Sequence, residues 1–412
     1  MTMLPKPVHA PQQKFPTVGN CLQIGGIPLT QLAQRVGKTP FYAYDRGLLV
    51  ARAQYLRSSL PKEIALHYSI KANPMPAVVQ CMANLVDGFD IASGGELKVA
   101  LDTPMRPDCI SFAGPGKTAA ELTQAIAAGV VIHLESEHEL EAVVDIGQLL
   151  GIAPRVVVRV NPDFEMKTSG MKMGGGPKPF GIDAELVPQL LKRLAWLDVD
   201  FHGLQIFSGS QSLNPAAIMD AQSRTFDLAF RLAGYAPQPM RFLNIGGGFG
   251  IPYFPGDKPL DVRPIGEHLG QWLPRVRAAL GNTEIVIELG RYLVGEAGVY
   301  VSRILDRKTS RGKIFLVVDG GLHHHLAASG NFGQVIRKNY PVTVGNKMLE
   351  TAREVVSVVG PLCTPLDILA EDMELAKAEV GDLIVLFQSG AYGLTASPTA
   401  FLSQAAAGEV LV

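Results

Sequence analysis

One pattern constrains this chain more than any other feature. From about residue 60 to about residue 290, short apolar runs with strand character alternate with longer stretches of helical spacing. Eight such runs are present: Ala65–Ile70, Gly88–Ala92, Cys109–Ala113, Val130–Leu134, Arg155–Val160, His202–Phe207, Phe242–Ile245 and Glu284–Leu289. Between them lie helix-like segments such as Gly95–Leu101, Thr118–Ala128 and Glu137–Leu150, the last rich in glutamate near its start, as the helix dipole favours. Eight strand–helix units predict an α/β fold, a (β/α)8 TIM barrel. The polar residues fall where that fold carries its chemistry. Lys71, Asp90, Ser93, Glu135, Asn161, Ser208, Gly246–Gly248 and Glu288 all stand at or near the C-terminal ends of the runs.

Beyond Gly295 the texture changes to β-rich runs, Gly298–Leu305, Lys313–Val318, Arg353–Val359 and Leu383–Gln388, broken by glycine and proline. The expected division is an N-terminal segment, 1–40, joining the β domain; a barrel, 41–290; and a C-terminal β-rich domain, 291–412. A hydrophobic content of 47% and 43 glycines in 412 residues fit a folded α/β protein. The net charge of -1, with no basic run, argues against a nucleic-acid partner. Pro5, Pro7, Pro11 and Pro16 enclose no apolar core of a secretory signal, and no later apolar stretch is long enough to span a bilayer. Cys21, Cys81, Cys109 and Cys363 are scattered without metal or redox spacing, so reduced thiols in a cytoplasmic protein are expected.

Lys71 ends the first run, in Leu66-His67-Tyr68-Ser69-Ile70-Lys71-Ala72-Asn73-Pro74, where Asn-Pro stops the strand. A lysine at the mouth of a buried strand can lose its proton and attack an aldehyde; a solvated, fully charged lysine is the plain alternative. If the aldehyde is pyridoxal phosphate, the chain must also supply a phosphate cradle, a carboxylate for the pyridine nitrogen and a stacking face. Gly246-Gly247-Gly248 after the seventh run can bring backbone N–H groups against a phosphate, or can simply be a tight turn. Glu288, in Glu288-Leu289-Gly290-Arg291-Tyr292, can keep a pyridine nitrogen protonated or pair with Arg291 at the rim. Arg291 can hold a phosphate or a substrate carboxylate as a planar fork. Ser208-Gly209-Ser210-Gln211 offers phosphate donors, or ordinary capping serines.

In the β-rich region, Gly360-Pro361-Leu362-Cys363-Thr364-Pro365-Leu366-Asp367 sets a thiol and a carboxylate on a constrained loop, and Tyr392 lies among glycines in Gln388–Gly393. His323-His324-His325 has no matched cluster of ligands nearby, and neighbouring histidines on a strand point to opposite sides, so no metal is expected.

Taken in order, these motifs resemble the fold-type III pyridoxal-phosphate decarboxylases, the group of diaminopimelate, ornithine and arginine decarboxylases related to alanine racemase. The motifs are Lys71-Ala72-Asn73, Asp90 with Ser93–Leu97, Gly209-Ser210-Gln211, Gly246–Gly248, Glu288–Tyr292, Gly360-Pro361 with Cys363, and Ala391-Tyr392, and they span nearly the whole chain. The resemblance implies pyridoxal 5'-phosphate held by Lys71, with Glu288 at the pyridine nitrogen, Asp90 among the cofactor residues, and Ser210, Gly247, Gly248, Arg291 and Tyr392 around the phosphate. It also implies a head-to-tail homodimer with shared active sites, in which Cys363 acts in the other subunit as proton donor or substrate contact. A glutamate against the ring nitrogen suits decarboxylation, whereas the similar racemases place an arginine there.

Two positions depart from that pattern. Phe207 stands where the family's decarboxylases stack a histidine on the cofactor ring; it can stack but cannot exchange protons. Thr364 follows the loop cysteine where diaminopimelate decarboxylases carry an acid, and Asp367, three positions on, is the candidate substrate carboxylate in its stead. The Met166–Gly181 stretch and Gly321–His325 look most like the subset found with exosortase systems or acting on glutamyl groups tethered to a carrier protein, and the long Met/Lys/Gly stretch reads as a functional lid. The expected activity is decarboxylation of an amino acid or a carrier-tethered aminoacyl group. The alternatives are diaminopimelate decarboxylase, a racemase of the same fold and a non-catalytic pyridoxal-phosphate-binding relative.

Overall fold

The computed structural model describes residues 6–10, 12–166, 170–332, 334 and 336–412; Lys167, Thr168 and Ser169 of the expected lid therefore lie outside the described residues. The chain divides into two compact units. One comprises 52–251 and 259–292, the other 1–51, 252–258 and 293–412.

The first unit is a closed parallel barrel. Its strands, in chain order, are Ile64–Ser69, Gly88–Ile91, Ile110–Phe112, Val131–Leu134, Arg155–Asn161, Asp200–Ile206, Phe242–Gly247 and Glu284–Leu289. Each pairs with the next, and the eighth pairs with the first through Glu288 opposite His67, which closes the ring. All eight expected runs are strands, shifted at their ends by no more than two residues. The three helices after the second, third and fourth strands begin on side-chain caps. Ser93 accepts from Glu96 N at 3.2 Å, Thr118 forms a capping box with Glu121, and Ser136 accepts from Glu139 N at 3.1 Å. Ser93 is therefore a helix cap.

Side chains alternate across a strand, and register decides which of them share the barrel interior. Ala65, Val131, Val157, Phe242 and Val286 meet as a buried apolar cluster that forms the floor. Two residues further along the same strands stand His67, His133, Arg159, Asn244 and Glu288, all buried and all polar. The interior is thus layered, apolar below and polar at the C-terminal mouth, as fixed by one alternation in each strand.

The second unit holds an eight-stranded mixed sheet. Gly298–Ser310 is its central strand and pairs with Phe41–Tyr44, Lys313–Val318 and Leu383–Leu386. Its core joins early residues (Phe15, Leu22, Leu29, Phe41) to late ones (Val299, Leu383, Phe387), so the N-terminal segment is part of this fold. No helix among the described residues is long and apolar enough to cross a membrane.

Candidate active site

Lys71 sits in a short 3-10 turn, Ile70–Ala72, immediately after the first strand. Asn73 builds the turn. Its backbone N–H donates to Ile70 O at 2.9 Å, its Oδ1 accepts from Met75 N at 3.1 Å, and its carbonyl accepts from the Tyr68 hydroxyl at 2.8 Å. The strand therefore ends one residue before the expected Ile70, and the lysine is carried out over the mouth on a rigid hook. Its positive charge bears on Asp90, Glu96 and Glu288 alike.

Glu288 is buried at the end of the eighth strand and surrounded by donors. Ser69 Oγ donates to Oε1 at 2.9 Å; Gln205 Nε2 and Asn244 Nδ2 donate to Oε2 at 2.7 and 3.2 Å. Burial alone would raise its pKa. The cations of Lys71 and Arg159, with the Ser69 hydroxyl, overcome that and hold the carboxyl below its usual value. Asp90, one strand beyond Ser69 in register, behaves in the opposite way. Burial and the nearby Glu288 charge push it well above the usual carboxylate range, although the Ser111 hydroxyl donates to Oδ1. Its Oδ2 is buried without a hydrogen-bond partner. Of the two acids, Glu288 is held toward its charged form and Asp90 is pushed toward its protonated form.

His67 and His133 complete the buried layer. Burial lowers each to about 4, so both rings are neutral at neutral pH. At the rim, Arg159 pairs with Glu135 at 2.6 Å, and Glu135 also accepts from Gly114 N at 2.6 Å and Gly181 N at 2.7 Å. These contacts hold Glu135 below its usual value against burial. Asn161 bonds Gly176 O and Asp183 and accepts from Gly175 N, so the segment that follows the fifth strand is tied at its base.

Gly246 and Gly247 end the seventh strand and Gly248 follows it, pressed against the main chain of its neighbours. A Cβ on Gly247 would lie 2.3 Å from Glu288 O, and one on Gly248 would lie 2.4 Å from Gly209 O at a φ of +72°. Only glycine lets these strand ends approach each other and leave main chain facing a ligand. Phe207 packs beside Gly246, whose Cβ would fall 2.9 Å from the ring. The loop carrying Ser210 lies against Gly248, and Met171–Lys172 pairs with Gly209–Ser210 as a two-stranded ribbon. Arg291 opens a short helix directly after the eighth strand.

Lys71, Asp90, Phe207, Ser210, Gly247, Gly248, Glu288 and Arg291 thus all lie in the barrel unit, at strand ends. Cys363, Asp367 and Tyr392 lie in the other unit. Cys363 is exposed on its loop. Tyr392 adopts a φ of +52°. Asp367 is only 2% exposed, and its two oxygens accept from Leu322 N at 2.6 Å and Leu362 N at 2.9 Å, which clamps the loop. His324 and His325 are likewise engaged, with Ala405 O at 2.8 Å and Ser389 Oγ at 2.9 Å.

Sequence reasoning missed Ser69, His133, Gln205 and Asn244. Each sits inside a run read as strand, and the register that turns it toward Glu288 appears only once the barrel closes.

A buried carboxylate held toward its charged form beside a lysine, with the Gly246–Gly248 turn on the neighbouring strand, fits pyridoxal phosphate. The comparisons agree. Residues 46–295 match the pyridoxal-binding domain of the pyridoxal-dependent decarboxylases. An L-glutamyl-(BtrI acyl-carrier protein) decarboxylase of Niallia circulans is 36% identical, over 93% of this chain and 90% of its own. A diaminopimelate decarboxylase of Aquifex aeolicus is 32% identical, over 95% and 90%. A crystal structure from Aquifex aeolicus superposes with a TM-score of 0.82 at 29% identity, covering 97% of this chain and 92% of that one. The chain belongs to the pyridoxal-dependent decarboxylase family, and its cofactor is pyridoxal phosphate.

Proposed function

We propose that this enzyme decarboxylates a carrier-tethered glutamyl or similar non-basic aminoacyl group, as a cytoplasmic homodimer with shared active sites. The observation that carries the decarboxylase chemistry is Glu288, buried and charged among Ser69, Gln205 and Asn244. Bound pyridoxal phosphate supplies the electron sink that accepts the pair left when CO2 departs. Lys71 would provide the amine for its aldehyde, and Glu288 would hold the positive charge of the ring nitrogen. Asp90 would contribute to the cofactor pocket as the acid pushed toward its neutral form. Ser210, Gly247, Gly248 and Arg291 would hold the phosphate, to which the resemblance adds Tyr392, and Phe207 would lie against the ring. Cys363 of one subunit would supply a proton to the substrate α-carbon in the other.

The substrate class follows from what the cysteine loop presents. The loop's single acid, Asp367, is tied to Leu322 and Leu362, and Thr364 follows the cysteine, so nothing there grips a distal ammonium. The likeness to a carrier-protein glutamyl decarboxylase of Niallia circulans favours a tethered acyl group. Relatives named diaminopimelate decarboxylase support the alternative of a free diamino acid.

The test is CO2 release from reconstituted protein given free glutamate, diaminopimelate or glutamyl carrier protein. The expected order puts the carrier-bound substrate first, with all activity lost in Lys71→Ala. A higher kcat/KM for diaminopimelate would overturn the substrate assignment.

A further inference from the structure

We propose that His133 and Gln205 form a positioning relay that fixes both the orientation and the charge of Glu288 from inside the barrel. The inference rests on the reading of Glu288 as the ring-nitrogen partner and extends it by two residues. Gln205 is 2% exposed on the sixth strand, between two groups on opposite sides. Its Nε2 is 2.7 Å from Glu288 Oε2, and its Oε1 is 2.8 Å from His133 Nδ1.

A primary amide has two unlike ends. Turned by half a rotation, Gln205 would place its carbonyl oxygen against the Glu288 carboxylate and remove a donor from a buried charge. His133 prevents that turn. A neutral imidazole carries one hydrogen, and only with that hydrogen on Nδ1 can it donate to Gln205 Oε1. His133 Nε2 is buried with no hydrogen-bond partner, so a hydrogen placed there would be an unsatisfied buried donor, which favours the tautomer with the hydrogen on Nδ1. The hydrogen bonds therefore run in one direction, from imidazole to amide to carboxylate. Ser69 and Asn244 add donors, and Asn244 is oriented locally by the Gly246 N–H, which donates to its Oδ1 at 2.8 Å, whereas Gln205 is oriented by a side chain two strands away.

The charged and titratable groups bearing on Glu288 are Lys71, Arg159, Asp90, His67 and His133. Lys71 and Arg159 favour its charge, and Asp90 opposes it unless protonated. Both histidines are neutral, so His133 acts through its hydrogen and not through charge. The relay residues are positioning residues; neither touches the reacting atoms.

Three variants test the relay, with Glu288→Gln as reference. Gln205→Met keeps length and removes both hydrogen bonds; loss of a hydrogen bond to a charged group predicts a fall in kcat of about ten- to a hundredfold with KM little changed. His133→Phe keeps a buried ring and frees the amide to turn, predicting a smaller fall of the same kind. Gln205→Glu is isosteric and places two carboxyls together, which share one proton. While that proton remains, the introduced acid still donates to Glu288; as pH rises and it leaves, activity falls on the alkaline side, where the native enzyme keeps its rate.

Visible absorbance of the bound cofactor against pH, and cofactor affinity by equilibrium dialysis, are read alongside kcat. Should Gln205→Met fail to fold, the isosteric Gln205→Glu pH profile carries the test alone. Native kcat and native absorbance in Gln205→Met and His133→Phe, with Glu288→Gln impaired, overturn the relay only. Native behaviour of Glu288→Gln itself overturns the reading of the site and the relay with it.

Discussion

Gly248→Ala isolates the proposed phosphate-binding turn from every other feature of the barrel. At φ +72° the new Cβ would lie 2.4 Å from Gly209 O and 3.2 Å from Met166 Cε. The methionine can swing aside, but the carbonyl belongs to the main chain. A comfortable carbon–oxygen contact is about 3.3 Å, so the loops after the sixth and seventh strands must part by about 1 Å. Parting them moves Ser210 away from the Gly246–Gly248 turn, and a misplacement of that size costs about a hundredfold where geometry matters. The left-handed backbone adds about 1–2 kcal/mol of strain unrelated to that contact. Gly151→Ala isolates that second effect, because Gly151 has a φ of +67° and nothing within 4 Å of its would-be Cβ. Both variants should lose stability in apo-protein melts, Gly248→Ala the more because its Cβ also meets Gly209 O. Only Gly248→Ala should lose pyridoxal-phosphate affinity, by about two orders of magnitude in equilibrium dialysis. Equal cofactor affinity in the two variants would refute the reasoning.

Two further predictions concern groups that the barrel buries. Lys117 pairs with Glu139 at 2.7 Å, with side chains 1% and 9% exposed, and also donates to Gly114 O and His133 O at 2.7 and 3.0 Å. Lys117→Met leaves Glu139 buried and unpaired and should cost about 3–5 kcal/mol in denaturant unfolding, with much of it restored in Lys117→Met/Glu139→Leu; an unchanged single variant would sink the idea. His67 and His133 have pKa values of about 4 in the fold against 6.5 in the unfolded chain. Above pH 6.5 both states are neutral and stability is complete. Below it the unfolded chain takes up protons that the fold refuses, so each ring costs up to about 3 kcal/mol by pH 4. At constant cofactor occupancy the unfolding free energy should slope downward on the acid side of pH 6.5; a flat profile there contradicts the assignment.

The barrel was legible because each strand is a contiguous apolar run and because lysine, glycines and glutamate end those runs. Such features are local, and a sequence displays them directly. The polar interior is not local. His133 in Val131–Leu134 and Gln205 in Asp200–Ile206 look like single interruptions of a strand. Their meeting with Glu288 depends on the register of strands 4, 6 and 8 around a closed ring, which spacing along one chain does not encode. Asp367 shows the same limit in a loop: four residues after Cys363 it reads as a ligand-facing acid, and its bond to the Leu322 N–H, forty-five residues away, is visible only in the fold. The helix caps Ser93, Thr118 and Ser136 show the opposite extreme, where a residue's whole role lies within the next three positions.

The floor of Ala65, Val131, Val157, Phe242 and Val286 has a consequence for traffic. Packed side chains fill the barrel at that level, so its polar groups are reached from the C-terminal mouth. The same stopper keeps the stabilising half of each strand away from the reactive half, leaving the upper residues to change with the chemistry while the lower ones keep the ring closed.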